Sequence, residues 1–175
     1  RKRKFIPLLR KESDYTRFET LLEILRQTKP SFVINAAGYT GKPNVDACEL
    51  AKTDTLAGNT LFPQTVAQAC LVTKTPWGHV SSGCIFSGAK IVEGKKMRVE
   101  KDLTKNKLRK LAGKNPKAIR GFTETDKPNF TFRDPPTSFY SATKALAEEA
   151  IAGVGENYIW RLRIPFDKFD NSRNY

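Results

Sequence analysis

Three times along this chain, a stretch with helical periodicity is followed by a short run of β-branched and aromatic residues. That alternation restricts the fold more than any other feature. Phe18, Leu21, Leu22 and Leu25 recur at i, i+3, i+4 and i+7, the spacing of one apolar helix face. Thr16 with Glu19 three residues on matches a capping box, and Lys29-Pro30 predicts the stop. Residues 31–35, ending in Ile34-Asn35 before Ala36-Ala37-Gly38, read as a buried strand opening into a loop. Residues 45–70 are rich in Ala, Leu and Val and predict one long helix or two shorter ones, with Pro63 at a first turn or a kink. Residues 77–82 predict a strand ending at Gly83, residues 138–151 a helix built on Ala142, Ala145, Leu146, Ala147 and Ala150, and residues 158–162 a strand. The expected fold is α/β, a parallel sheet with helices on both faces.

At 175 residues and 39 % apolar content the chain can bury a core, which excludes wholesale disorder and predicts a single domain over residues 1–175. No window approaches the roughly 18 apolar residues that a membrane-crossing helix needs. Cys48, Cys70 and Cys84 are scattered, and His79 is the only histidine. This argues against a disulfide framework or a metal site and for reduced, buried cysteines in a cytoplasmic protein. Of the net charge of +13, nine units come from residues 89–120, where twelve basic side chains face three acidic ones. That segment lacks stacking aromatics and any zinc-finger or RNP pattern, so a solvated basic insertion, helix or mobile loop, is expected rather than a nucleic-acid site.

The chemistry concentrates in a few residues. Tyr140 and Lys144 lie one turn apart on the same face of a predicted helix. An ammonium beside a phenol favours the phenolate and makes the tyrosine a usable general acid. The same spacing arises by coincidence on many solvated helices. Context sharpens it: Ser82 sits at the end of one predicted strand and Asn35-Ala36-Ala37-Gly38 at the end of another. Ligands of parallel sheets gather outside the carboxyl ends of the strands.

Taken in order, several motifs resemble one family. They are Val33-Ile34-Asn35-Ala36-Ala37-Gly38, Lys42-Pro43-Asn44-Val45-Asp46-Ala47-Cys48-Glu49, Gly58-Asn59-Thr60 and Ser81-Ser82-Gly83-Cys84-Ile85-Phe86. They continue through Glu124-Thr125-Asp126-Lys127-Pro128-Asn129-Phe130 and Phe139-Tyr140-Ser141-Ala142-Thr143-Lys144 to Arg161-Leu162-Arg163-Ile164-Pro165. The chain resembles the extended short-chain dehydrogenase/reductases and, within them, the dTDP-4-dehydrorhamnose reductase group, most closely its nucleotide-4-keto-6-deoxyglucose 3,5-epimerase/4-reductase members. The resemblance implies a Rossmann-like sheet, NADP or NAD as cofactor, a nucleotide-linked 4-keto-6-deoxy sugar as substrate, and compatibility with a homodimer. It implies that Tyr140 protonates the substrate's C4 oxygen, that Lys144 holds the nicotinamide ribose and depresses the tyrosine pKa, and that Ser82 polarises the carbonyl. Ala36, Ala37, Gly38, Asn59, Ser81 and Pro165 would line or support the cofactor cleft. Thr40, Asn44, Cys84 and Phe86 would face the sugar. A nucleotide-sugar epimerase or dehydratase, or a non-catalytic interaction subunit, would use the same fold.

The chain also departs from that pattern. No glycine precedes Gly38, so the glycine-rich turn that holds a dinucleotide pyrophosphate is missing, together with the residue that selects NAD or NADP. The expectation is an incomplete Rossmann-like domain without its first βαβ unit and its C-terminal substrate domain, interrupted by a basic insertion at about residues 89–120. Such a piece is expected to bind dinucleotide poorly and to be inactive by itself.

Overall fold

A computed structural model describes residues 4–163. Three strands, β1 (Val33–Asn35), β2 (Trp77–Ser82) and β3 (Asn157–Leu162), form a parallel sheet in the order β1-β2-β3. Helices α1 (Phe18–Thr28), α2 (Phe62–Thr73) and α3 (Phe139–Ile151) accompany them, as the alternation in the sequence predicts. Leu21 and Leu25 of α1, Phe62, Val66 and Cys70 of α2, Trp77 of β2 and Ile151 of α3 pack into one core. Each fully buried large side chain there contributes about 1.5–3 kcal/mol of burial free energy.

Local chemistry sets the element ends. Helix α1 starts after Arg17 with no side-chain cap, and the Thr16 hydroxyl instead donates to Asp14. The capping box is therefore not formed, although Glu19 still lies in the first turn, where a negative charge suits the helix dipole. Lys29 closes α1 in the left-handed conformation. The Ser138 hydroxyl caps α3 by accepting from Ser141 N at 3.1 Å.

Residues 45–73 make neither one helix nor two simple ones. A 3-10 turn (Val45–Glu49) leads to a short helical turn (Lys52–Leu56), a π-helical turn (Ala57–Leu61) and then α2, with Pro63 in its first turn. Pro63 has no N–H to return to the carbonyl four residues back, and the ladder widens just before it.

Two expectations about burial change. Among the described residues the helices lie on one face of the parallel sheet. On the other face Ile34, Tyr158, Trp160 and Leu162 are 55, 49, 39 and 51 % exposed, so β1 is an edge strand with one open side rather than a buried one. The basic segment also folds. Strands β4 (Ala89–Glu93), β5 (Lys96–Glu100) and β6 (Ile119–Arg120) form an antiparallel sheet, and helix α4 (Asn106–Lys114) accompanies it. Ile91, Leu108 and Ala118 are buried there, and the lysines stay outside except Lys90, which is folded inward onto Asp126 at 2.6 Å. Asn129 clasps the base of this module, its amide accepting from Ser87 N at 2.9 Å and donating to Ser87 O at 3.0 Å.

Candidate active site

In a parallel sheet all strands end on one rim. Asn35 pairs with His79, so β2 runs three residues past the end of β1, and the Ala36–Gly38 turn departs level with Val80. Helix α3 crosses this step and fills it with Lys144, which is 5 % exposed. The Lys144 ammonium donates to Val80 O at 3.4 Å. It also lies 3.1 Å from where a β-carbon of residue 38 would stand, so any side chain there would press on the ammonium and the bare glycine leaves it room.

One turn earlier on α3, Tyr140 places its hydroxyl near Ser82 at the end of β2, close enough for the serine to act on its ionisation. The Ser82 hydroxyl in turn accepts from Cys84 N at 3.1 Å. Ser82, Tyr140 and Lys144 thus meet at one crevice. Their electrostatics differ from the expected depressed phenol. Burial pushes the Tyr140 pKa up, Ser82 pulls it partly back, and the nearby Cys84 and Cys48 thiols raise it further. Lys144 is the shifted cation: burial brings it from 10.5 down to about 8, against an opposing pull from Glu148.

The other predicted site residues fall into three groups. Ala36 and Gly38 are exposed and Ala37 half-buried, and all three border a cavity of about 730 Å³ that Arg10, Tyr15, Asp54 and Phe62 also line. Gly38 is shared between that cavity and the Lys144 side. Asn59, on the π-helical turn, is fully buried; its amide accepts from Tyr39 N at 2.8 Å and donates to Tyr39 O at 2.9 Å. It supports the turn from behind and has no surface for a ligand. Ser81 points the opposite way from Ser82 and donates to the Glu148 carboxylate.

On the presumed sugar side, Thr40 and Asn44 are exposed, and Asn44 caps the 3-10 turn through Asp46 N at 2.9 Å. Cys84 is only half-buried, unlike Cys48 and Cys70, and its sulfur accepts from the Arg163 guanidinium at 3.3 Å. Phe86 is occupied by packing, stacked on Phe122 at 4.8 Å with the Arg161 guanidinium 5.4 Å over its ring. Pro165 lies outside the described residues.

Sequence reasoning overlooked three residues next to the crevice. Glu148 is 7 % exposed and sits one turn beyond Lys144. Arg161 of β3 binds its carboxylate through Nε at 3.1 Å and the terminal nitrogen at 2.8 Å. A glutamate four residues after Lys144, between Ala145 and Ile151 on the buried face of the helix, was the available signal. The third is His79, buried and hydrogen-bonded to Asn35 at 3.2 Å. Burial and the Lys144 charge hold its pKa down at about 4. Asn35 also accepts from Ala37 N at 3.1 Å, so His79 steadies the turn that carries Gly38.

A trifunctional UDP-glucose 4,6-dehydratase/UDP-4-keto-6-deoxy-D-glucose 3,5-epimerase/UDP-4-keto-L-rhamnose-reductase of Arabidopsis thaliana is 35 % identical over 158 residues, which is 89 % of this chain and 20 % of that protein. The crystal structure of the L780 UDP-rhamnose synthase from Acanthamoeba polyphaga mimivirus superposes with a TM-score of 0.68 at 21 % identity, over 93 % of this chain and 49 % of that one. A dTDP-4-dehydrorhamnose reductase from Bacillus anthracis, solved in complex with NADP, gives 0.64 at 18 % identity over 95 % and 46 %. These two share the Rossmann-like fold, and the chain spans about half their length. The model of the RmlD substrate binding domain matches residues 1–174, and the chain belongs to that family.

Proposed function

We propose that this chain carries the proton-transfer centre of an NAD(P)H-dependent reductase of a nucleotide-linked 4-keto-6-deoxy sugar. The observation that carries the reading is the meeting of Ser82, Tyr140 and Lys144 at the sheet rim beside the Ala36–Gly38 turn. The chain's relatives are oxidoreductases of nucleotide-rhamnose biosynthesis. The NADP complex of the Bacillus anthracis relative supports the choice of cofactor class.

The residues present suit the nicotinamide-ribose end of such a cofactor. A β-carbon at residue 38 would crowd both Lys144 Nζ and Asn59 Oδ1, at 3.1 and 3.0 Å, so the bare glycine leaves a slot next to a buried cation. The cavity that shares Gly38 would take the remainder of the dinucleotide. When bound, a reduced nicotinamide supplies the hydride. The Ser82 hydroxyl donates to the C4 carbonyl oxygen of the sugar and polarises it. Tyr140 gives its hydroxyl proton to that oxygen as the alcohol forms. A neutral phenol is what a proton donor must be, and burial keeps Tyr140 neutral. Lys144 binds the ribose hydroxyls and, while charged, stabilises the phenolate left behind. Three free cysteines suit a reducing compartment such as the cytoplasm.

The reading is tested in the full-length protein by following NADPH oxidation with a UDP- or dTDP-4-keto-6-deoxy sugar. Tyr140→Phe is expected to cut turnover by about 10²–10⁴-fold with little change in cofactor affinity, the loss typical of one general acid. Undiminished turnover refutes it.

A further inference from the structure

The proposed proton donor stands where a helix is weakest. Tyr140 is the second residue of α3. The N–H groups of a first turn have no partner within their own helix, so that turn frays unless other groups hold it. Ser138 serves Ser141 N at 3.1 Å. Phe139 N, directly before Tyr140, is served from 90 residues away and donates to Glu49 Oε1 at 2.6 Å. The ring of Phe139 is fixed as well: the Lys52 ammonium lies 5.5 Å from its centroid, and Phe132 meets it edge-on at 5.5 Å. Glu49 ends the 3-10 turn and Lys52 begins the next helical turn, so one short segment grips both the backbone and the side chain of residue 139.

We propose that Glu49 is a positioning residue for the proton transfer: its carboxylate, bound to Phe139 N, keeps the first turn of α3 wound and the Tyr140 hydroxyl beside Ser82. The inference rests on the reductase reading for its purpose, though its first test does not.

The surroundings leave this task to Glu49. The Ser138 hydroxyl is committed to Ser141, accepting from its N–H and donating to its Oγ at 2.8 Å. Among the described residues Glu49 enters none of the ion pairs, so its carboxylate is free for the helix end. A negative charge is favourable at a helix N-terminus, and its hydrogen bond to an N–H is charge-assisted. Glu49 also reaches α3 from a braced arm. Asn44 caps the 3-10 turn through Asp46 N at 2.9 Å, and Cys48, next to Glu49, is fully buried. Asn44 opens the turn that Glu49 closes, so the bond ties the segment expected to face the sugar to the turn that carries the phenol.

The test uses the 175-residue chain and variants of Glu49, whose side chain is exposed. Glu49→Ala is expected to speed amide exchange at Phe139 by about tenfold relative to the middle of α3, the loss of one hydrogen bond to a charged group. It is also expected to weaken the nuclear Overhauser contact between the Tyr140 ring and Ser82. Glu49→Gln keeps an acceptor oxygen and should restore most of both. Glu49→Ser is too short to reach and must repeat the alanine result, which keeps the test decisive should Glu49→Ala not fold. In the full-length protein Glu49→Ala should lower kcat by about tenfold with the KM for NADPH unchanged, and Glu49→Gln should recover it. A role confined to stability predicts a lower melting temperature with the Overhauser contact and kcat unmoved. Amide protection and an Overhauser contact that survive in Glu49→Ala overturn the proposal. The expected changes in the 175-residue chain beside a full-length protein that never oxidises NADPH would sink the reductase reading alone. Turnover that falls in Tyr140→Phe and not in Glu49→Ala would sink this one alone.

Discussion

Lys144 carries the clearest conflict between stability and chemistry in the chain. Its depression from 10.5 to about 8, at about 1.4 kcal/mol for each tenfold change in proton affinity, opposes folding by roughly 3 kcal/mol at pH 7. The unfolded chain holds this proton up to pH 10.5 and the native chain releases it near 8, so stability rises with pH across that window. Lys144→Met should therefore raise the melting temperature at pH 7, and the advantage should fade as the pH approaches 10.5. Thermal melts of both proteins at stepped pH check this, and the full-length variant should lose turnover at every pH. Tyr140 and Lys144 were visible in the sequence because their spacing on one helix face fell in register with the strand-end motifs at Asn35–Gly38 and Ser82. The direction of the Tyr140 shift was not, because it depends on burial and on Cys48 and Cys84 folding against the phenol.

Among the elements, the π-helical turn at Ala57–Leu61 matters most to the site. It turns Asn59 inward, where one amide satisfies both the N–H and the C=O of Tyr39. Asn59→Ala removes both bonds and is expected to destabilise the chain by about 1–3 kcal/mol, with faster amide exchange at Tyr39, in the loop after β1, than in the parent chain. Denaturant unfolding with hydrogen exchange measures both. Pro63 and the motif around Asn59 hinted at a break in the sequence, yet a proline in a first turn is compatible with an ordinary helix start, so the widened turn stayed hidden. Strand β2 was legible to the residue, because Trp77, His79 and Ser81 alternate with smaller partners and Gly83 ends the run. The capping box failed for a local reason, since Asp14 competes for the Thr16 hydroxyl.

At the scale of the whole molecule, the described residues cover one face of the parallel sheet with helices and leave the other open. Phe32 lies 6.0 Å from Tyr158 and 6.3 Å from Trp160, and the Trp160 ring rests on Gly78. Exposed apolar surface of this kind binds hydrophobic dyes and promotes association. The 175-residue chain should bind anilinonaphthalene sulfonate in its native state, and the double variant Ile34→Lys/Leu162→Lys should lose most of that fluorescence without a fall in melting temperature. The alternation of helices and strands foretold the parallel sheet. It could not foretell which face the helices take, because that follows from the hand of each crossover rather than from composition.

The basic segment read as a solvated stretch, since its lysines dominate and apolar residues that it buries, such as Ile91, Leu108 and Ala118, lie far apart in sequence. Its attachment has a practical consequence. The reciprocal bonds between Ser87 and Asn129 bring the two ends of a 41-residue excursion side by side. Rejoining these ends through a tight glycine turn would close a short loop at little entropic cost. The excised chain would forfeit the Phe122 stack on Phe86 and the Arg161 bond to Glu124. It should nonetheless keep Ser82 next to Tyr140, while shedding eight of the thirteen units of net positive charge.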